Sequence, residues 1–284
     1  MLNDIYISSV AFRRMKVEDM ISKVRENGWA LEFSSGMAYR DDLELLYINS
    51  DIKRIPHNYF PIPKVPFVLN LASTDEIIRT KSIEHCKKGL HLARLSNSPF
   101  FAAHAGFCID PDPLDLGKKI SVTKKFDKEI NKRLFLISIN EILKTADKLR
   151  LDFLIENNVI TEFNYINESN PLLCCESAEI EWLYSIIKHQ RFGLLLDTAH
   201  LKISCLTLNK NIDQELSLIK PNIKAIHHSD NDGKTDDNLS ISNNYWFLEY
   251  LKDFVQIPHV LEVKDLKISE IKEQLKILEI YGNR

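Results

Sequence analysis

The chain has 284 residues, with 37 lysines and arginines against 40 aspartates and glutamates, and a formal net charge of −3 at pH 7. This balance argues against a protein that binds nucleic acid through its bulk charge. A composition of 44% hydrophobic and 27% charged residues, with 8 glycines and 10 prolines, excludes disordered, collagen-like and small disulfide-stapled classes. It predicts a globular protein with a sizeable core.

Cysteine usage and the amino terminus bear on the cellular compartment. The five cysteines are odd in number and form no C-x-x-C pair, so neither a disulfide framework nor a cysteine zinc site is predicted. No apolar run reaches the ~18 residues of a membrane span, and the first residues lack the basic region of a signal peptide. We therefore expect a soluble, cytoplasmic protein without a membrane partner.

Short β-branched or aromatic runs alternate along the chain with longer segments of helical periodicity. In chain order we predict strand 5–9, helix 17–26, strand 29–33, helix 41–47, strand 52–57, a helix from 73–76 to about 95, strand 100–104, helix 126–149, strand 151–156, helix 178–189, strands 192–196 and 223–227, helix 245–254, strand 259–263 and helix 268–281. Strict alternation with about eight strands predicts an α/β fold, the (β/α)₈ TIM barrel, in a single domain over residues 1–284.

Local signals support several of these boundaries. Asn27-Gly28 is a helix stop, and Ser73 or Thr74 is the expected N-cap of the third helix. Pro61, Pro63 and Pro66 lie too close together for regular structure, so the segment after the third strand is predicted to be an irregular loop.

Metal-competent side chains stand at the carboxyl ends of six successive predicted strands, where the active site of such a barrel lies. They are His57, His104, Glu156, Asp197 with His200 three residues on, His227 with His228 and Asp230, and Glu262. Several anionic groups in a poorly solvated barrel mouth need a cation or shared protons. A mixed set without cysteine predicts a divalent metal ion, Zn²⁺, Mn²⁺, Co²⁺ or Fe²⁺, with Mg²⁺ also open, rather than Ca²⁺.

The same residues carry a family resemblance. The segments LIENN, LLLDTAH, IHHSDND and VLEV, preceded by HNYFPIPKVPFVLNLAS and AAHAGF, resemble the xylose isomerase-like TIM-barrel superfamily. This superfamily holds sugar and sugar-phosphate isomerases and epimerases, and the endonuclease IV type of apurinic-site nuclease. The resemblance spans nearly the whole chain, most clearly from the third strand to the eighth.

The resemblance implies site residues. The epimerase-type metal site is implied to be Glu156, Asp197, His227 and Glu262, in which Glu156 and Glu262 are also the acid/base pair on opposite faces of the sugar. In the endonuclease IV type, the positions of His57 and His104 join Glu156 and Glu262 in a second metal site, and His200 belongs to a third. That third site draws on an Asp-x-His, but the chain reads Asp236-Asp237-Asn238, so a complete three-metal site is in doubt.

Simpler structural roles compete with these functional ones. Asp197 could cap the next helix, and His200 could orient a ligand instead of binding metal. Glu32, on the second strand, could hydrogen-bond substrate or be a structural carboxylate. Of the two adjacent histidines, the family pattern favours His227 as the ligand, which leaves His228 facing the barrel wall or the helix layer.

Four further residues are candidates for contact with substrate. Asn157 and Asn158 either touch substrate hydroxyls or position the carboxylate before them, and Asp230 follows the ligand histidine of the seventh strand. Trp246 either lines the pocket or packs in the core beside Tyr250.

The preferred hypothesis is a metal-dependent isomerase or epimerase of a sugar or sugar phosphate, working through a metal-stabilised enediolate. A hydride shift stays open. The first rival is a two-metal phosphodiesterase or apurinic-site endonuclease, for which the basic group Lys118, Lys119, Lys124, Lys125 and Lys128 could supply a local DNA-binding surface. The second rival is a non-catalytic sugar-binding barrel. The partner expected is a small molecule rather than nucleic acid, and assembly into a homo-oligomer stays open.

Overall fold

The computed structural model describes residues 2, 4–113, 118–120, 125–165 and 169–282. Its strands are β1 (Ile5–Ser8), β2 (Ala30–Phe33), β3 (Arg54–Pro56), β4 (Phe100–His104), β5 (Asp152–Glu156), β6 (Phe192–Asp197), β7 (Ile223–His228) and β8 (His259–Leu261). Its helices are α1 (Val17–Glu26), α2 (Leu43–Asn49), α3 (Glu76–Leu95), α4 (Lys128–Leu149), α5 (Ser177–Ile186), α6 (Thr198–Thr207), α7 (Ile212–Ile219) and α8 (Ile268–Gly282). Lys124, a member of the predicted basic group, lies outside the described residues.

The eight strands form one parallel sheet in the order β3-β2-β1-β8-β7-β6-β5-β4. A parallel bridge between His57 and Ala102, with the Asn58 N–H donating to the Ala102 carbonyl at 2.7 Å, joins β3 to β4 and closes the sheet. The predicted (β/α)₈ barrel is therefore confirmed, and one domain over the whole chain stays a prediction. None of the described helices combines the length and apolarity needed to cross a membrane.

Two apolar layers hold the barrel together. Nine buried side chains fill its interior: Tyr6, Ala30, Ile55, Phe100, Ala102, Leu154, Leu195, Ala225 and Val260. A larger cluster packs the outer face of the sheet against the helices. Where α3 crosses β4, the contact is so close that a Cβ on Gly89 would lie 2.2 Å from the Phe101 ring.

Three local predictions need correction. The N-cap of α3 is Asp75, not Ser73 or Thr74, because the Asp75 carboxylate accepts from the Ile77 and Ile78 N–H groups. The helix predicted over 245–254 consists of two 3₁₀ turns, since its hydrogen bonds run from residue i+3 to residue i. Two helices, α6 and α7, lie between β6 and β7, where the sequence analysis expected a single helix after Asp197 and gave it no bounds.

Candidate metal centre

The polar site lies one layer above the apolar interior of the barrel, at the carboxyl ends of the strands. Strand side chains alternate between the two faces, so the residue two positions after an interior residue also points inward. Seven polar residues each lie two positions after a member of the interior layer and therefore also point inward. They are Glu32, His57, His104, Glu156, Asp197, His227 and Glu262. The barrel therefore gathers on one level the strand-end residues that the sequence separates by up to 230 positions.

Glu156, Asp197, His227 and Glu262 form a compact group, in which each offers a ligand atom within 4.8 Å of the others. The Nδ1 atom of His227 is 2.9 Å from Glu262 Oε2, 3.5 Å from Glu156 Oε1 and 4.0 Å from Asp197 Oδ2. The side chains of Glu156, Asp197 and His227 are buried, and that of Glu262 is 13% exposed. We name these four residues the metal group.

Buried oxygen atoms without hydrogen-bond partners indicate which kind of ligand the metal group could bind. Both carboxylate oxygens of Glu156 and Oδ2 of Asp197 are buried and accept no hydrogen bond. Buried carboxylate oxygens without partners are costly unless a cation binds them. Three carboxylates and one imidazole match the donor preference of divalent ions such as Zn²⁺ and Mn²⁺, so the group could hold such an ion.

A second possible metal site adjoins the first and shares Glu156. His57 Nε2 is 3.1 Å and His104 Nε2 is 3.5 Å from the Oε2 atom of Glu156. These three residues also offer ligand atoms within 4.8 Å of one another. The structure thus brings both histidines to the position expected for an adjoining ion.

Glu32 is a member of the site that the sequence analysis left undecided. Its Oε2 atom accepts a hydrogen bond from His227 Nε2 at 2.9 Å and lies 4.0 Å from His57 Nδ1. The side chain is fully buried on β2. The signal in the sequence was its strand-end position, the same one that marks Glu156 and Glu262, but the short run before it made this signal weak.

His200 and Asp236 extend the site toward solvent. His200 Nε2 is 3.3 Å from an Asp236 carboxylate oxygen, and its Nδ1–H donates to the Asn157 carbonyl at 2.8 Å. The simpler structural role of Asp197 is also real, because its Oδ1 accepts from the His200 N–H at 2.8 Å as the N-cap of α6. Its Oδ2 is left over for the metal group. Asp236 was noticed in the sequence only through the missing histidine at Asn238.

The two asparagines expected at the substrate have structural contacts. Asn157 donates its amide to the Asp197 carbonyl at 3.0 Å and accepts from the Asp197 N–H at 2.8 Å. Asn158 donates to the carbonyls of Ala105, Gly106 and Leu173. These contacts support the positioning role that the sequence analysis left open for both residues. Asn158 also lines the cleft beside the metal group, and direct substrate contact stays a prediction.

Asp230 and Trp246 are not among the residues that line the cleft beside the metal group, and their substrate-binding role stays a prediction. The Asp230 carboxylate pairs with Lys202 Nζ at 2.6 Å. Trp246 begins a 3₁₀ turn on the outer side of the barrel, where it contacts Phe247 and Tyr250. Trp246 lines a separate surface depression together with Tyr245 and Tyr281.

His228 points away from the barrel interior, as the predicted strand register requires. Its Nε2 is 2.8 Å from His259 Nδ1 and its Nδ1 is 3.1 Å from the Tyr245 hydroxyl. Burial, followed by the neighbouring His259, holds the pKa of His228 well below its usual value. This histidine is therefore neutral and belongs to the packing layer.

The charges of the metal group stabilise one another. Burial alone would lower the pKa of His227, but the carboxylates of Glu32, Glu262 and Glu156 raise it well above its usual value. Burial alone would raise the pKa of Glu156, yet the surrounding histidines hold it well below its usual range. Burial raises the pKa of Asp197 to about 7. Without a metal ion, a proton on the His227 imidazole and partial protonation of Asp197 therefore offset part of the negative charge of the group.

Comparisons with solved structures show the same fold in proteins of low sequence identity. A D-tagatose 3-epimerase-like protein is 17% identical with a TM-score of 0.72, covering 99% of each chain. D-psicose 3-epimerase from Clostridium cellulolyticum H10 is 17% identical with a TM-score of 0.63, covering 99% of this chain and 96% of its own. An AP endonuclease, family 2, from Brucella melitensis is 12% identical with a TM-score of 0.65, covering 99% of each chain. At these identities the likeness establishes the fold alone.

The sequence comparison establishes the family. No protein of curated function matches the chain. The profile of the family described as xylose isomerase-like TIM barrel matches residues 27–276, which include every member of the metal group. The motifs at the strand ends, the closed parallel barrel and this match over most of the chain agree, and the chain belongs to the xylose isomerase-like TIM barrel family.

Proposed function

We propose that the protein is a divalent-metal-dependent isomerase or epimerase of a sugar or sugar derivative. The observation that carries this proposal is the metal group, in which three carboxylates and an imidazole converge with buried oxygens that accept no hydrogen bond. The epimerases among the structural neighbours support the reaction class, and the family match supports the scaffold.

The chain's own residues divide the work. Glu156, Asp197, His227 and Glu262 would hold the ion, which when bound would supply Lewis-acid stabilisation of negative charge on oxygens next to the reacting carbon. Glu156 and Glu262 each have a second oxygen with which to accept or return a proton at that carbon. The Glu262 side chain is 13% exposed and is the more accessible of the two. Glu156 is buried, with His57 and His104 near its Oε2 atom and His200 and His227 near its Oε1 atom.

A second candidate function is metal-dependent phosphodiester cleavage, as in the apurinic-site endonucleases. The observation that favours it is the pair His57 and His104 at 3.1 and 3.5 Å from Glu156, which is an arrangement suited to a second ion. Against it stand Asn238, which replaces a histidine, and the net charge of −3. Lys128, from the basic group, is paired with Glu179 and does not offer a free cation to a phosphate backbone.

Solvent exchange distinguishes the two functions. Protein loaded with Mn²⁺ and incubated in D₂O with a panel of ketoses and ketose phosphates should incorporate deuterium at the carbon that epimerises or isomerises, because a carboxylate base exchanges its proton with solvent. Glu262→Gln should abolish both turnover and exchange. Metal content measured by mass spectrometry on the same samples separates a lost base from a lost ion.

Abasic duplex DNA is the comparison substrate. Metal-dependent cleavage of this DNA, with no deuterium in any sugar, would overturn the proposal in favour of the nuclease. Absence of bound metal after incubation with Mn²⁺ and with Zn²⁺ would overturn both functions.

A further inference from the structure

A cleft of about 440 Å³ opens from the candidate metal centre toward solvent. His104, His200 and Asp236 form its inner end, and these residues adjoin the metal group through Glu156 and Asp197. A molecule that reaches the metal centre from solvent therefore also occupies the cleft. The side chains along the cleft then select the part of the substrate that does not react.

One wall of the cleft comes from the loop after β3 and is aromatic. The rings of Tyr59 and Phe67 lie 5.6 Å apart, with Val68 and Leu69 beside them. The Tyr59 hydroxyl donates to the Phe67 carbonyl, so its polar atom is occupied within the wall. This loop therefore presents ring faces and aliphatic carbon rather than hydrogen-bonding groups.

The opposite wall comes from the segment after β5 and carries Phe163. This residue lies on a 3₁₀ turn, Glu162–Asn164, and its ring is part of the cleft lining. Asn164 fixes the turn, because it accepts from the Ile120 N–H at 2.8 Å and donates to the Lys118 carbonyl at 3.1 Å. Phe163 is 36% exposed, so its ring offers apolar surface to a molecule in the cleft.

The described lining of the cleft is poor in the side chains that usually bind phosphate. Among the described residues that line it there is no lysine or arginine, and Asp236 is its only carboxylate. Two lysines near the lining have other contacts: Lys81 lies 4.1 Å over the Phe67 ring, and Lys264 donates to the Asp236 backbone carbonyl at 3.1 Å. Phosphate recognition in proteins relies mainly on arginine, lysine or helix N-termini, whereas the described lining offers only the imidazoles of His104 and His200, beside Asp236.

We propose that the natural substrate is an uncharged hydroxy-ketone that carries an aryl or alkyl substituent, rather than a sugar phosphate. Its polar end reaches the metal centre, and its apolar substituent lies between the Phe67 wall and Phe163. The inference rests on the proposed function for the polar end only. The preference for an apolar tail follows from the cleft itself.

Three hydroxamates with different tails test the preference. A hydroxamate chelates a divalent ion as a hydroxy-ketone would, so 4-phenylbutanohydroxamate, acetohydroxamate and phosphonoacetohydroxamate differ mainly in what they place in the cleft. Calorimetric titration of Mn²⁺-loaded protein should give a dissociation constant at least about tenfold lower for the phenylbutyl compound than for acetohydroxamate. The phosphono compound should bind no tighter than acetohydroxamate.

Matched variants locate the effect. Phe163→Ala should weaken binding of the phenylbutyl compound about five- to tenfold and leave acetohydroxamate unchanged. Ile137→Ala removes an apolar side chain that is 61% exposed on α4 and does not line the cleft, and it should change neither. Tighter binding of the phosphono compound, or equal binding of the phenylbutyl and acetyl compounds, would overturn the proposal.

A metal-free measurement decides the same question independently of the proposed function. The ¹⁹F line of 4-(4-fluorophenyl)butanol should broaden when metal-free protein is added, and the broadening should be lost in Phe163→Ala but kept in Ile137→Ala. If no hydroxamate binds but this broadening is seen, the proposed metal chemistry fails while the apolar cleft stands. If the wild type and Phe163→Ala give the same line width, the apolar cleft fails whatever the metal result.

Discussion

Single residues at the barrel mouth depend on one another through shared carboxylates. Glu32 accepts from Nε2 of His227, whose Nδ1 faces the metal group. A metal-binding imidazole is oriented by the group that its other nitrogen contacts, and loss of such a partner costs about 10- to 100-fold in metal affinity. Glu32 is thus a positioning residue that does not need to touch substrate.

We predict that Glu32→Gln weakens Mn²⁺ binding about 10- to 100-fold, because an amide accepts a weaker hydrogen bond from the imidazole than a carboxylate does. Competition with a chelating indicator measures the affinity directly. Glu44→Gln, the same change at an exposed position of α2, is the control and should leave the affinity as it is. Unchanged Mn²⁺ affinity in Glu32→Gln would show that His227 is held by its strand alone.

At the scale of elements, β7 decides which of two adjacent histidines enters the site. A strand displaced by one residue sends every side chain to the opposite face. Pairing of Asp197 with His227 and of His228 with Leu261 sets the register, so that His227 faces the metal group and His228 packs between Tyr245 and His259.

The two alanine variants should therefore differ in kind. His227→Ala should lose bound Mn²⁺, whereas His228→Ala should keep it and lose about 1–3 kcal/mol of unfolding free energy, because the Tyr245 hydroxyl and His259 Nδ1 lose a buried partner. Metal content by mass spectrometry and urea denaturation measure the two effects. The opposite pattern in metal content would place β7 one residue out of register.

At the scale of the whole molecule, the polar layer links stability to pH and to metal. His227 and His200 have pKa values raised well above the usual one by neighbouring carboxylates, despite burial that would lower them. A histidine whose folded-state pKa is raised stabilises the fold fully below its unfolded pKa of ~6.5, and this stabilisation is lost as the pH rises through the folded value. Asp197, with a pKa of about 7, adds to the loss as pH rises toward neutrality.

We predict that the melting temperature of the metal-free protein falls between pH 6.5 and 8, by about 2–4 °C for each kcal/mol lost. The increase in melting temperature on adding Mn²⁺ should grow over the same range, because binding requires the imidazole and carboxylate protons to leave. Differential scanning calorimetry with and without the ion measures both slopes, and His227→Gln should flatten the first. A metal-free melting temperature that rises with pH across this interval would contradict the protonation described for the site.

The sequence by itself determined the barrel and most of its ligand-type residues. Each of the eight apolar runs of strand length is recognisable from its own local sequence. The residues that end these runs must meet at one end of the barrel, because all the strands of a parallel sheet point the same way. Period-two alternation showed that His227 and His228 face opposite ways, and the family resemblance, not the alternation, favoured His227 as the one that faces the metal group. Asn27-Gly28 likewise marks the end of α1, where Gly28 has a φ of +66°.

Tertiary structure decided which polar groups are already occupied. Lys202 pairs with Asp230, and backbone carbonyls accept from the amide of Asn158, both through contacts that no local pattern encodes. Glu32 belongs to the site only because β1 pairs with β2 on one side and with β8 on the other, which closes the barrel around the metal group. Side chains far apart in the chain compete for the same hydrogen-bonding partners and the same buried space, and only the closed barrel shows which of them prevails.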